Sequence, residues 1–170
     1  MISLYQKKQL EKWTGLKFSH VVFDSDEDDW SKDTSVFNER IIGKKQLAFL
    51  IEEEDNEIFG YYLNSEVNEE YLERNKSDKQ SFEFNLESNG RLQHPRKFEI
   101  KDLNGGGYNM YQKTGDILIY LGDIELKKDN NKNNSYCWQI INRFNYHGID
   151  NALCGKEQFS PKRIIVIQMN

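Results

Sequence analysis

The sequence predicts a mainly β (α+β) fold: a two-sheet antiparallel β-sandwich with short flanking helices. Three observations predict it. Apolar and aromatic runs are short and recur along the whole chain between turn-forming residues, as strands of a sandwich do. Helix signals are confined to the segment before Gly43. The chain is polar, with a mean hydropathy of −0.83 and 37% apolar residues, yet it carries ten Phe, nine Tyr and three Trp. Disordered chains are poor in aromatics, so a folded domain with an aromatic core is expected.

The elements follow in order. Ser3-Leu4-Tyr5-Gln6 is a capping-box pattern that opens a helix over about 4–13, and Gly15 supplies a left-handed residue at its end. Phe18 to Phe23 alternates as a strand buried on at least one face. The acidic loop Asp24-Ser-Asp26-Glu-Asp28-Asp29 precedes Ser31, the expected N-cap of a second helix. Its Val36, Phe37, Ile41 and Ile42 share a stripe, and Gly43 ends it. Leu47 to Ile51 is a continuous apolar strand covered on both faces. A solvated acidic turn, Glu52 to Glu57, leads to its hairpin partner, Ile58 to Leu63.

Residues 64–80 read as a polar surface excursion. Phe82, Phe84 and Leu86 alternate with polar residues, the pattern of an edge strand; Phe98 and Ile100 suggest another short one. Three consecutive glycines make 102–109 a flexible or bulged loop. Ile117 to Leu121 and Ile124 to Leu126 form a hairpin across Gly122-Asp123. The Asn-rich stretch 127–134 reads as a mobile loop. Tyr136, Trp138 and Ile140 alternate as a strand, and Ile164 to Ile167 is the last one after Pro161. No internal repeat or linker divides the 170 residues, so one domain is expected.

A net charge of −5 and a pI near 5.3 disfavour a general nucleic-acid binder, which needs a basic face for phosphates. The first residues have no apolar signal core, and no apolar run reaches the ~20 residues of a membrane span. Two cysteines, Cys137 and Cys154, fit a reducing compartment better than a disulfide framework. The expected location is the cytoplasm, with the nucleus as the extension.

The residues at the joints of these elements resemble those of the TLDc domain, the eukaryotic module of oxidation-resistance proteins. The resemblance begins with Leu10 and Trp13-x-Gly15, then a strand, an acid-rich loop, Trp30-Ser31 and Phe37. It continues through the 47–51 strand and Ile58-Phe59-Gly60-Tyr61, which resembles the family's Phe-Gly-Gly-Tyr. Phe82 and Phe84 resemble its Phe-x-Phe-x-Leu strand, Gly115-Asp116 its Gly-x-Asp segment, and Phe159 with 164–168 its closing strand. Three departures stand out: Asp29 for a glycine, Met110-Tyr-Gln-Lys113 for an aromatic-Gly pair, and Ile165 for an acid. The resemblance spans nearly the whole chain and implies one free-standing TLDc-like domain, 1–170. It also implies a sandwich with flanking helices and a role in oxidative-stress protection. Several members of the family bind the vacuolar proton pump.

Candidate chemistry is sparse. Asp24, Asp26 and Asp28 begin like a calcium loop, but Asp29 and Ser35 stand where glycine and glutamate are needed. A solvated acidic loop (Asp24, Asp26, Asp28, Asp29) favouring the next helix N-terminus is the better reading. Cys137, His147 and Cys154 lack zinc spacing, so no metal ligand is assigned. Cys154, followed by Gly155-Lys156, is the candidate redox residue, on the expectation of an exposed loop with a nearby cation. Asn104-Gly-Gly-Gly-Tyr108 is no phosphate cradle, and no nucleophile elbow or triad spacing links His20, His94 and His147 to a serine. No catalytic residue and no cofactor are assigned.

The expected function is non-catalytic: an oxidative-stress module that binds a protein partner, with vacuolar proton-pump subunits implied by the resemblance. One alternative is a stress-responsive DNA-binding transcriptional regulator, which would need Lys7, Lys8, Lys44, Lys45, Arg96 and Lys97 on one face. The other is a peroxide scavenger or sensor acting through Cys154.

Overall fold

The computed structural model describes residues 2–170. In chain order the elements are α1 (Leu4–Thr14), β1 (Phe18–Asp24), α2 (Phe37–Ile41), β2 (Leu47–Glu53), β3 (Ile58–Leu63), β4 (Phe82–Glu87) and β5 (Arg96–Glu99). There follow β6 (Tyr108–Met110), β7 (Ile117–Leu121), β8 (Ile124–Lys127), a 3₁₀ helix (Asp129–Asn134), β9 (Ser135–Cys137), β10 (Gln158–Phe159) and β11 (Pro161–Met169). Two antiparallel sheets result. The first has the order β1-β11-β2-β3-β4-β5, the second β10-β9-β8-β7-β6. The fold is the mainly β sandwich the sequence predicts.

The core between the sheets is one contiguous cluster. Phe49, Ile51, Phe59, Tyr61, Ile164 and Val166 from the first sheet meet Tyr108, Met110, Ile119, Leu121, Ile124 and Leu126 from the second. Because side chains alternate along a strand, the first sheet has a second apolar face. Ala48, Leu50, Tyr62, Phe82, Phe84, Ile165 and Ile167 form it, and α1 covers it through Leu10 and Trp13. The two-faced burial explains why β2 and β3 are apolar without interruption.

α1 forms as its sequence dictates. The Ser3 hydroxyl accepts from the Gln6 amide at 3.1 Å, the Gln6 side chain accepts from the Ser3 amide at 2.9 Å, and Gly15 closes the helix at φ +73°. Ser31, in contrast, is not the N-cap of α2. Asp33 adopts φ +71°, which no α-helix accommodates, so residues 31–34 are turns; the Ser31 amide instead donates to Asp29 Oδ1 at 2.8 Å. α2 starts at Phe37, whose amide donates to Ser35 Oγ at 3.2 Å.

Four further expectations are corrected. β4 is an interior strand between β3 and β5, not an edge. The excursion at 64–80 is tied to the core by buried Val67 and by Asn75 bridging Tyr108; Arg74 donates to the carbonyls of Gly105 (2.8 Å), Gly107 (3.1 Å) and Gly122 (3.2 Å). Those bonds also hold the triple-glycine loop, where a Cβ on Gly107 would lie 1.8 Å from the Asn75 carbonyl oxygen. The Asn-rich stretch after β8 forms two short 3₁₀ turns joined at a kink at Asn131 (φ −136°). The strand at Tyr136 stops at Cys137, leaving Trp138 49% exposed.

Candidate functional site

The alternation of β4 puts Phe82 and Phe84 outward under Trp13, whose ring centroid is 6.0 Å from each. Glu83 and Asn85 therefore point between the sheets. Both are buried, Glu83 at 0% exposure. Each organises a polar cluster inside an apolar core.

Around Glu83 the β7–β8 turn closes in. Gly122 sits at φ +57°, and a Cβ there would lie 2.5 Å from Glu83 Oε1, so the turn approaches only because this residue is glycine. The Asp123 amide donates to Glu83 Oε1 at 2.6 Å. The Tyr146 hydroxyl lies 2.6 Å from Glu83 Oε2 and 2.5 Å from Asp123 Oδ2. Asp123 also accepts from the Ile140 amide at 2.6 Å and from the Arg143 guanidinium at 3.1 Å.

A phenol has one proton, and it cannot donate to two carboxylates at once. Each carboxyl accepts from one backbone amide, but Asp123 alone also has a cation, Arg143, so the charge resides on Asp123 and the proton on Glu83. Glu83 then donates to Tyr146, and Tyr146 donates to Asp123. Burial, followed by the neighbouring charge of Asp123, raises the Glu83 carboxyl well above the usual carboxylate range. Burial also raises Asp123, opposed by Tyr146, the Ile140 amide and Arg143.

Around Asn85 lies the second cluster. Its amide donates to Glu57 at 3.2 Å and to the Leu153 carbonyl at 2.7 Å. Glu57 holds Arg91 in a two-pronged pair, 2.8 Å on each side. Glu53 is also fully buried and pairs with Lys156 at 2.6 Å. The acidic turn is thus not simply solvated, because two of its carboxylates enter the core with cationic partners.

Cys154 sits beside this cluster. It is 3% exposed rather than in an open loop. The cation beside it in sequence, Lys156, is held by Glu53 and Asp55, each at 2.6 Å. Its thiol donates to the Lys156 carbonyl at 3.3 Å, and its sulfur is 3.9 Å from Cys137 Sγ, with Cys137 also buried. Burial pushes the Cys137 thiol well up.

The other singled-out residues do not converge on one place. Trp13, Phe82 and Phe84 belong to the outer apolar layer, with Gly60 beneath Phe84; Gly15 ends α1 and Ser31 lies in a turn. Phe59 packs edge-on against Phe159 at 5.1 Å. The Tyr61 hydroxyl donates to the Gly106 carbonyl at 2.8 Å and lies 2.9 Å from Ser77 Oγ. Gly115 and Asp116 offer carbonyls to Lys128: its buried ammonium donates to the carbonyls of Gly115 (2.6 Å), Lys113 (2.7 Å) and Gln112 (3.0 Å), and its amide to Asp116 (2.8 Å).

The acidic loop does not serve a helix N-terminus. Asp24 takes both prongs of Arg163 at 2.9 and 2.5 Å, Asp26 approaches the same guanidinium at 3.0 Å, and Asp28 pairs with Arg40 at 2.9 Å. Arg163 holds the Asp24 carboxyl below its usual range. Among the described residues, no group of three or more His, Cys, Asp and Glu side chains is arranged to hold a metal ion.

On the outer side of the first sheet, α1 and β1 leave a groove of about 400 Å³. Ile2, Phe18, Val21 and Ile165 supply its apolar lining, and Lys7, Asp24 and Arg163 its charged one. Nearby elements leave Leu4 68%, Tyr5 54% and Val21 41% exposed. Among the described residues, no helix is long and apolar enough to cross a membrane.

The residues that sequence reasoning missed are Glu83, Asp123, Tyr146 and Arg143. Glu83 was hidden as the polar half of an alternating strand, and Asp123 as a turn residue. No protein-family model matches the chain, and no curated protein matches it significantly.

Proposed function

We propose that this chain is a TLDc-like module acting in the oxidative-stress response by binding a protein partner, with subunits of the vacuolar proton pump as the partner the resemblance implies. The observation that carries this reading is the groove between α1 and β1. Its lining joins apolar Ile2, Phe18, Val21 and Ile165 to charged Lys7, Asp24 and Arg163 and opens to solvent, while the acid pair Glu83 and Asp123 is enclosed in the core. Ile165, standing where the resemblance leads one to expect an acid, lies at the floor of that groove with only 8% of its surface exposed.

The test is retention of purified peripheral pump subunits by the tagged protein, wild type against Val21→Asp. Val21 is exposed on β1, so its replacement leaves the core intact. Retention by the wild type with at least a tenfold loss in the variant supports the reading. No retention by the wild type removes the proposed partner, and equal retention by both removes the groove.

A further inference from the structure

Cys137 and Cys154 are the only cysteines of the chain, and the fold brings them from seventeen residues apart into direct sulfur–sulfur contact at 3.9 Å. We infer that they are an oxidative modification site, a dithiol that a hydroperoxide converts to an intramolecular disulfide.

A disulfide bond measures about 2.05 Å, so the sulfurs must approach by roughly 2 Å. Cys137 ends β9 and is anchored in the second sheet, but Cys154 lies in the run of turns that follows Ile149, outside both sheets. Closing the gap requires that turn to shift, which breaks no strand pair because Cys154 belongs to no strand. Cys154 is the attacking sulfur, because it lies in a turn while Cys137 is held in a strand, although both are equally buried. The Cys154 thiolate attacks the peroxide oxygen, forming a sulfenic acid and releasing the alcohol (water, for hydrogen peroxide). The Cys137 sulfur then displaces hydroxide from that sulfenic sulfur, forming the S–S bond. In sum, two thiols and one hydroperoxide yield one disulfide, one alcohol and one water.

The placement decides what the bond would do. The segment between the two cysteines carries the Ile140 amide, Arg143 and Tyr146, three donors to the Asp123 carboxylate. A cross-link at its two ends fixes that segment over the buried acid pair. Burial of both sulfurs makes the reaction slow and the product protected, a record of exposure rather than a turnover cycle.

The test uses the purified, pre-reduced chain treated with hydrogen peroxide, then denatured, alkylated and weighed intact, with non-reducing peptide maps. The expected product has lost two hydrogens, carries no alkyl group, contains one peptide pair joined through Cys137 and Cys154, and reverts with phosphine. Hydrogen exchange at the Ile140 amide should slow in that product. Cys137→Ser should give no internal cross-link while remaining folded. Two alkylated thiols after oxidation, independent over-oxidation of each sulfur, or only intermolecular links would each overturn the proposal. None of these readouts depends on a partner, so failure here is distinct from failure of the binding reading.

Discussion

The Asp123 amide donates to Glu83 Oε1 at 2.6 Å, linking a turn of the second sheet to the middle of a strand in the first. Two acids are thereby held within reach of one phenol inside the core, and the titration of Glu83 contributes to how stability responds to pH.

Glu83 has its folded pKa raised, chiefly by burial. Its contribution is fully present below the usual carboxylate range and is lost as pH rises through the raised value. Glu83→Gln keeps a donor toward Tyr146 but cannot ionise. The variant should equal or fall slightly below the wild type near pH 5 and gain on it steadily toward pH 9. Urea unfolding across that range checks it; parallel curves would place the proton elsewhere.

Tyr146→Phe removes the hydroxyl that joins the two acids and leaves Asp123 Oδ2 with one donor fewer. An unsatisfied buried polar group costs about 1–3 kcal/mol, and a loss in that range is expected by denaturant titration.

Asp24 responds in the opposite sense to Glu83. Arg163 holds its carboxyl below the usual range, so the pair stabilises above that range and fades as pH falls through the lowered value. Asp24→Asn should lower stability by about 1–3 kcal/mol at pH 7, typical of hydrogen bonds to a charged group. The difference should shrink in acid, followed by thermal melting from pH 7 to pH 2.

A Cβ on Gly60 would meet the Phe49 carbonyl oxygen at 1.8 Å and the Phe84 ring at 3.0 Å. Backbone cannot yield as a flexible side chain can, so Gly60→Ala should destabilise at the upper end of the ~1–3 kcal/mol range for overpacking, or prevent folding. Soluble yield and melting temperature report it. Gly115→Ala is the control, because its nearest neighbour would lie at 3.5 Å.

Lys128→Met should cost about 1–3 kcal/mol, because the Gly115 carbonyl loses its ammonium donor while those of Gln112 and Lys113 keep one backbone amide each. Chemical denaturation measures it, and a neutral result would show that water replaces the cation there.

Where pattern and burial coincide, the fold was legible. The capping box of Ser3 and Gln6, the uninterrupted run at Leu47 and the hairpin at Ile58 all follow from local rules. The candidate site was not, because alternation in a strand reveals which residues share a face but not which face is interior. The alternation of Phe82 and Phe84 with Glu83 read only as an edge strand. α1 supplies a second apolar cover, so the aromatics face the helix and the acid enters the sandwich. Cys154 was likewise misplaced by its neighbours: Gly155 and Lys156 suggest exposure, but Glu53 draws the lysine inward and the thiol goes with it.

β11 lies between β1 and β2, with Phe18 opposite Met169 and Leu47 opposite Gln168. The final strand therefore fills a slot in the middle of the first sheet, between partners made near the start. β1 has no partner in that sheet until Pro161–Met169 is in place beside it. Closing this sheet depends on contacts far apart in sequence, and topologies dominated by such contacts fold slowly.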